Sequence, residues 1–446
     1  MAGSLLALLL AKRGFRVALY DRRPDPRLRD AERGRSINLA LAARGINALA
    51  RAGVMDEVRP LLIEMRGRSI HELNGETRLL AYGWKPNEVI YSVGRGALTR
   101  LLVEAAARSP NVTLNFGQTC LGASAAENRT LFRDEETDES YDVVLTPTIG
   151  ADGAGSVLRT SLAADGYLSV REEMLDHDYK ELTLPPVNGH PALDANALHV
   201  WPRGGFMLIA LPNTDGSFTA TLFLERGKPS ALENTFAALK TPEAVSNFFA
   251  REFPDAVPLI PNLLTEFFEH PQGQLGTVHA GPWHVGGKVL LLGDAAHAIV
   301  PFHGQGMNAA FEDCTTFDAL LDRHDDWAQL FAELERLRRP NAEAIAQMAL
   351  ENYVEMRDTV LDPRFQRYKA LSVELERRFP ERFIPRYSMV MFHPEISYAD
   401  ALRRGEFQAE ILAALDEHAT STGSLDMELA QSLIEARLAP VSAAQN

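Results

Sequence analysis

A leucine-rich helix that stops at a glycine and runs straight into a strand ending on an acid leaves few folds open. Ser4 to Arg13 reads as that helix, Gly14 as its stop, and Phe15 to Tyr20 (F-R-V-A-L-Y) as the strand, with Asp21 at its end. These pieces form the second half of a dinucleotide-binding βαβ unit, whose terminal carboxylate accepts hydrogen bonds from ribose hydroxyls. Of the Gly-rich turn that should precede the helix, only Gly3 is present, and Gly3 read alone is equally a linker residue. The numbered chain is therefore expected to start too late. The first strand of the Rossmann-like unit would be missing, leaving a gap beside Phe15 to Tyr20 and a weak hold on the dinucleotide.

Three later runs carry the same kind of chemistry. Gly150-Ala151-Asp152-Gly153-Ala154-Gly155-Ser156 follows the strand-like Tyr141 to Leu145, with Ile149 leading in. Its glycines allow close backbone approach to a ligand, and the next helix offers N–H groups to phosphate. The alternative is a left-handed turn between strand and helix. Val289 to Leu292 reads as a buried strand ending in Gly293-Asp294-Ala295-Ala296-His297, where Asp294 is placed to hold a ribityl or ribose hydroxyl or, alternatively, to cap a helix. His297 reads as a packed histidine. Pro301-Phe302-His303-Gly304-Gln305-Gly306-Met307-Asn308 leads into a helix and would set a positive pole beside an anionic ring, or be a plain Gly-rich loop.

Elsewhere, Ala42 to Ala52 and Arg95 to Arg108 have helical spacing, and Val112 to Phe116 reads as a strand. Asn128 to Glu139 is expected to be a hairpin tip between Leu121 and Val144. Gly205 to Leu211 and Phe218 to Leu224 are strands joined by a turn at Asn213 to Gly216, in a mixed or antiparallel sheet. Residues after about Phe331 are mainly helical by pattern.

In this order and spacing the three runs resemble the class A flavoprotein monooxygenases, with the fold of p-hydroxybenzoate hydroxylase. A narrower resemblance, to the kynurenine 3-monooxygenase family, spans nearly the whole chain. It rests on Arg33 to Leu41 (R-G-R-S-I-N-L-A-L), Met65 to Arg68, Asn196 to Pro202 (N-A-L-H-V-W-P), Leu350 to Met356 (L-E-N-Y-V-E-M) and Phe383 to Met389 (F-I-P-R-Y-S-M). Asp21 stands where that family often has Glu.

The resemblance implies an α/β fold: a Rossmann-like FAD-binding domain (residues 1–64, 93–162 and 277–331), a mixed-sheet substrate domain (65–92 and 163–276) and a helical C-terminal region (332–446). It implies FAD contacts at Gly3, Asp21, Arg22, Arg35, Asn38, Leu39, Arg95, Asp152, Gly153, Gly293, Asp294, Gly304, Gln305, Gly306, Met307 and Asn308. Pro301, Phe302 and His303 would shape the flavin site without acting as acid or base.

It further implies that Arg68 and Tyr82 bind the amino-acid carboxylate of L-kynurenine, and that Asn352, Tyr387 and Met356 are further substrate contacts. Met207, Ile209, Leu211 and Phe223 would form the apolar wall around its aromatic ring. An arginine suits this work because its planar fork pairs a carboxylate bidentately. Taken alone, Arg68 would be a surface ion pair, Tyr82 a half-buried packing residue, and the Asn352–Met356 stripe a core face. The implied reaction consumes NADPH and O2 and yields 3-hydroxy-L-kynurenine through a flavin C4a-hydroperoxide. Water in the site would promote loss of H2O2 instead. Alternatives are a class A hydroxylase for another aromatic acid and an inactive homologue lacking FAD.

Composition sets outer limits. With 446 residues, 46% hydrophobic, the chain can build one large or two ordinary domains. A net charge of −15 argues against nucleic acid and anionic membranes as partners. Cys120 and Cys314 suit reduced thiols in a cytoplasmic enzyme, and no histidine or cysteine spacing suggests a metal. Leu5 to Leu10 is far shorter than the roughly 20 residues of a spanning helix. The mixed, polar tail Leu425 to Asn446 predicts no membrane anchor.

Overall fold

The computed structural model describes residues 1–28, 38–227, 234–422 and 424–441. Arg35 and the 33–37 part of its signature lie outside the described residues. By their internal contacts the residues divide into two compact units: Met1–Ile63, Tyr91–Asp176 and Gln274–Ala349 form one, and Glu64–Ile90, His177–Gly273 and Leu350–Asn446 the other.

In the first unit the Ala2–Lys12 helix is buried from Ser4 through Ala11. A helix apolar on every side belongs inside a core. Here Leu5, Leu6 and Leu9 join Leu49, Leu98, Leu102, Leu290, Leu291, Phe311 and Phe317 in one cluster. The helix stops where Gly14 adopts φ +87°. The strand then runs Val17–Asp21 and pairs in parallel with Val112–Phe116, Val17 opposite Val112 and Asp21 opposite Phe116. Among the described residues, Val17–Asp21 has a strand on that side alone. Thr148–Gly150 and Val289–Leu291, also parallel, form a separate sheet with His284–Val285. The Cys314 thiol sits fully buried on the Gly306–Leu320 helix, 3.3 Å from the Ala310 carbonyl and 3.5 Å from that of Ala2.

One expectation is corrected. Asn128 to Glu139 is not a hairpin tip. It contains a strand, Arg129–Asp134, at the centre of an antiparallel meander between Gln118–Ser124 and Ser140–Val144. Alternation explains it: Thr130 and Phe132 turn inward from an otherwise charged segment, and the Phe132 ring stacks on Tyr20 with centroids 4.5 Å apart. Asn128 and Asp138 make the flanking turns at positive φ. Tyr141 to Leu145 thus belongs to the meander, and the strand leading into the glycine run is Thr148–Gly150.

The second unit is built on a mixed sheet. Its strands lie in the order His177–Leu184, Phe218–Glu225, Met207–Pro212, Leu198–Pro202, Gly67–His71 and Thr77–Ala81, with only the Leu198–Pro202 and Gly67–His71 pair parallel. The register sorts the side chains. Leu182, Ala220, Ala210, His199 and Ser69 are successive partners, as are Leu222, Leu208 and Trp201, so these share one face. There Trp201, Leu208, Phe218, Leu222 and Leu224 pack with Phe248, Phe249, Phe253 and Phe267 from the Pro242–Glu252 and Leu263–Glu269 helices and the turn between them. The other face carries Tyr179, Phe223 and Met207 in one row, Thr221, Ile209, Val200 and Ile70 in the next, and Leu198, Arg68 and Leu80 beyond. The C-terminal helices Pro363–Arg378, Tyr398–Thr422 and Met427–Arg437 add a small core of their own around Leu375, Ile411, Leu415 and Ile434. Among the described residues no helix is long and apolar enough to cross a membrane.

Candidate active site

In the first unit the candidate flavin contacts are mostly backbone. Asn38–Leu41 pairs antiparallel with Ile90–Gly94, which sets Asn38 opposite Gly94 and the exposed Arg95 just beyond; Leu39 lies opposite Val93. Asp21 accepts from the Arg23 backbone N–H at 2.9 Å and from its guanidinium at 3.0 and 2.7 Å. Burial opposes ionisation, but these bonds hold the Asp21 carboxyl below its ordinary range. The cation paired with Asp21 is Arg23, which sequence reasoning missed; Arg22 and Arg23 are both exposed. Gly3 lies in the first turn of its helix beside the glycine run, where a Cβ would make ordinary contact, at 3.5 Å, with that of Ala151.

Two helices here begin on glycine-rich loops, and they differ. Ahead of Val157–Ala164, the Asp152 carboxylate takes the Ser156 hydroxyl at 2.6 Å and the N–H groups of Val157 and Leu158 at 2.9 and 3.3 Å, and Ser156 takes that of Arg159. The expectation that this helix offers its N–H groups to phosphate is therefore corrected: the chain's own carboxylate occupies them. Gly153, at φ +88°, supplies the turn. The Gly306–Leu320 helix has no side-chain cap and no acid in its first turn, so its first N–H groups are not taken by a residue of its own start.

Ahead of that second helix, Pro301–His303 forms a single helical turn with Phe302 and His303 buried, ended by Gly304 at φ +67°. A Cβ on Gly304 would meet that of Ala40 at 2.8 Å. Asn308 is wholly committed to holding this loop. Its Oδ1 accepts the Ala42 N–H at 2.9 Å, and its Nδ2 donates to the carbonyls of Ala40 and Gly304 at 2.8 and 3.0 Å. Gln305 is fully buried and Met307 partly so.

Gly293 sits at φ +61°, where a Cβ would come 2.9 Å from that of Ala310. Asp294 does not cap a helix: the cap position is Gly293, and the Asp294 carboxylate is exposed beside Gly306. His297 is a packed histidine. Its Nε2 lies 2.6 Å from Asp313, which also accepts the Gly293 N–H at 3.1 Å and Arg338 Nε at 2.7 Å. Burial alone would keep Asp313 protonated; His297 and Arg338 hold its carboxyl below the ordinary range. This Asp313–Arg338 pair, unseen in the sequence, fixes the turn that presents Asp294.

In the second unit the sequence-predicted substrate residues converge. Arg68 is buried; its two terminal nitrogens donate to Glu355 at 2.9 Å and Asn352 at 3.2 Å, and its guanidinium lies 5.0 Å over the Tyr387 ring. Tyr387 stacks on Tyr82 with centroids 5.5 Å apart. Asn352 Nδ2 reaches Met356 Sδ at 3.4 Å. Burial pushes both tyrosines up, Tyr387 to about 12, so both stay phenols. The buried Tyr82 hydroxyl has no aligned hydrogen-bond partner among the described residues. Burial disfavours a charged Arg68, yet the buried ion pair with Glu355 keeps it cationic.

Sequence reasoning missed two participants. Glu355 lies three residues beyond Asn352, so helical spacing puts it on the same side. Lys369 of the Pro363–Arg378 helix donates to the Ala81 carbonyl at 3.1 Å, and one turn earlier Gln366 accepts from Arg78 at 2.8 Å. Burial and the Arg68 charge push Lys369 down to about 8. Arg68 shares its sheet face with Ile209 one row away, with Met207 and Phe223 two rows away, and with Leu211.

Residues 1–347 match the family described as an FAD binding domain, so the chain is a member of that flavoprotein class. Kynurenine 3-monooxygenase from Stenotrophomonas maltophilia is 48% identical over 98% of this chain and 95% of the relative. The enzyme of the same name from Xanthomonas axonopodis pv. citri is 46% identical over 100% and 96%. The chain belongs to the kynurenine 3-monooxygenase family.

Among solved structures, 2-methyl-3-hydroxypyridine-5-carboxylic acid oxygenase aligns with TM-score 0.63 at 19% identity, over 81% of this chain and 91% of its own. PqsL from P. aeruginosa aligns at TM-score 0.63 and 20% identity, over 80% and 94%. At such identity the likeness is one of fold.

Proposed function

We propose that the chain hydroxylates L-kynurenine to 3-hydroxy-L-kynurenine, using FAD as bound cofactor and NADPH and O2 as co-substrates. The observation that carries this reading is the buried Arg68, Asn352, Tyr82 and Tyr387 cluster, a carboxylate-sized arrangement of donors on the edge of an apolar sheet face. The first unit is the FAD-binding part and the second the kynurenine-binding part.

The residues present suit FAD. Asp21 and Asp294 are carboxylates at strand ends, the Gly306–Leu320 helix has an uncapped positive pole, and glycines stand where a Cβ would clash. FAD, when bound, supplies hydride acceptance from NADPH and delivery of one oxygen atom from O2, the other leaving as water. The protein's own residues bind and orient. Arg68 pairs the amino-acid carboxylate, and Tyr82, Tyr387 and Asn352 complete its shell. Met207, Ile209, Leu211, Phe223 and Met356 hold the aniline ring and keep water away. Pro301, Phe302 and His303 shape the flavin loop. No side chain is needed as a nucleophile.

The test is kynurenine-stimulated NADPH oxidation by the purified yellow protein, matched mole for mole by 3-hydroxykynurenine. Stimulation by a different aromatic acid, with none by kynurenine, would overturn the substrate; a protein that takes up no flavin would overturn the reading. A cytoplasmic location, with no nucleic-acid partner, goes with the acidic composition.

A further inference from the structure

On the sheet face opposite Arg68, a chain of polar groups runs through the aromatic core. Asp255 Oδ2 lies 3.0 Å from His71 Nδ1, His71 Nε2 lies 2.8 Å from His199 Nδ1, and His199 Nε2 lies 2.9 Å from the Asp194 backbone carbonyl. Trp201 Nε1 donates to the same Asp255 oxygen at 2.8 Å, and its ring stacks on His71 with centroids 4.0 Å apart. His71 and His199 are 6% and 2% exposed.

The protons on this chain can be counted. A carbonyl oxygen only accepts, so His199 Nε2 must carry a proton. Asp255 is held ionised against its burial by His71 and the Trp201 N–H, so His71 Nδ1 must carry one too. Two neutral imidazoles have then no proton left. His71 Nε2 and His199 Nδ1 would face each other as bare lone pairs at 2.8 Å. Their contact is a hydrogen bond only if the pair holds a third proton. His199 is the neutral ring: burial, with the His71 charge adding, pushes it down to about 4 against the pull of the Asp194 carbonyl. The third proton therefore belongs to His71, against Asp255.

We propose that His71 is a buried imidazolium that positions Arg68, three residues earlier on the same strand. Through its two ring nitrogens it ties the Gly67–His71 strand to the Leu198–Pro202 strand and to Asp255. The inference rests on Arg68 as the kynurenine-carboxylate residue. The other charged groups around His71 are Arg203, whose NH1 donates to the His71 carbonyl at 3.0 Å, Glu252, whose carbonyl takes Arg203 Nε, and the neighbouring Glu72–Arg78 pair at 3.5 Å. Asp194 lies beyond His199. None of these donates a proton to the His71–His199 contact. Without that third proton the two lone pairs would meet, the cross-strand tie would break, and the arginine strand would loosen.

The FAD-loaded enzyme, labelled with 15N-histidine, gives a direct reading by NMR. Near neutral pH, His71 should show two protonated ring nitrogens and His199 one, with His71 assigned by its loss in His71→Gln. Two neutral rings there would overturn the proposal. Kinetics test the positioning. KM and kcat for kynurenine are compared at one pH with and without His71→Gln.

His71→Gln should raise KM for kynurenine about fivefold or more, with kcat changing less than about twofold. A KM equal to the parent's would overturn the positioning role. Arg68→Met keeps the two readings apart: if it binds kynurenine normally, the carboxylate assignment fails, whatever the state of His71.

Discussion

The two candidate sites are made of opposite materials. The candidate flavin loops of the first unit are mostly backbone: glycines at positive φ, an uncapped helix start, and side chains such as Asn308 and Asp313 turned inward to hold loops. The candidate kynurenine site of the second unit is mostly side chain, with Arg68, Glu355, Asn352 and two tyrosines resting on a sheet face. A backbone site is lost by adding atoms, whereas a side-chain site is lost by removing them.

The largest effect should come from removal. Arg68→Met takes away a buried guanidinium and should weaken kynurenine binding by about 2–5 kcal/mol, while the visible absorbance of bound flavin stays unchanged. Isothermal titration alongside the flavin spectrum reads both, and joint loss would break the contrast between the sites. Addition should cost less. Gly304→Ala forces a left-handed residue, about 1–2 kcal/mol, and drives a Cβ against Ala40. The expected outcome is FAD lost on gel filtration by a variant that melts nearly as the parent does; full retention would show that the loop backbone does not shape the flavin site.

The smallest effect concerns the helix bearing Lys369. Glu376, 2% exposed, shares Lys85 with Glu88 at the far end of that helix, and burial and Glu88 push it from 4.5 up to about 7. The folded chain therefore holds a proton that the unfolded chain releases. The resulting stabilisation is complete below about 4.5 and is lost as pH rises through about 7. Glu376→Gln should flatten that part of a plot of urea midpoint against pH, and an unchanged slope would remove Glu376 from the account.

The contrast also explains what could be read from the residues alone. Glycine turns and acids at strand ends announce themselves locally, so the Gly293-Asp294 turn and the Pro301–Asn308 loop were visible as motifs. Arg68 and Asn352 stand 284 positions apart and make one cluster only through tertiary packing, so only the family resemblance joined them. Glu355 had a local signal, its helical spacing from Asn352, whereas Lys369 and Arg338 had none, being half of pairs whose partners are distant. The Asp152 cap was misread because a carboxylate before a helix serves a ligand or its own backbone equally well. The Arg129–Asp134 strand was missed because its charged residues outnumber the Thr130 and Phe132 that alternate inward.

The Cys314 thiol carries a consequence for working life. A flavin hydroxylase that fails to pass its oxygen on releases hydrogen peroxide, and peroxide attacks thiolates. Cys314 is buried and its thiol is pushed well up, and the partly buried Cys120 is pushed up to about 11, in both cases chiefly by loss of water. Both sulfurs therefore remain protonated at neutral pH, so the enzyme carries no thiolate for its own by-product to oxidise. Long turnover on a poor substrate should wear it out through its methionines or its flavin before it does so through cysteine.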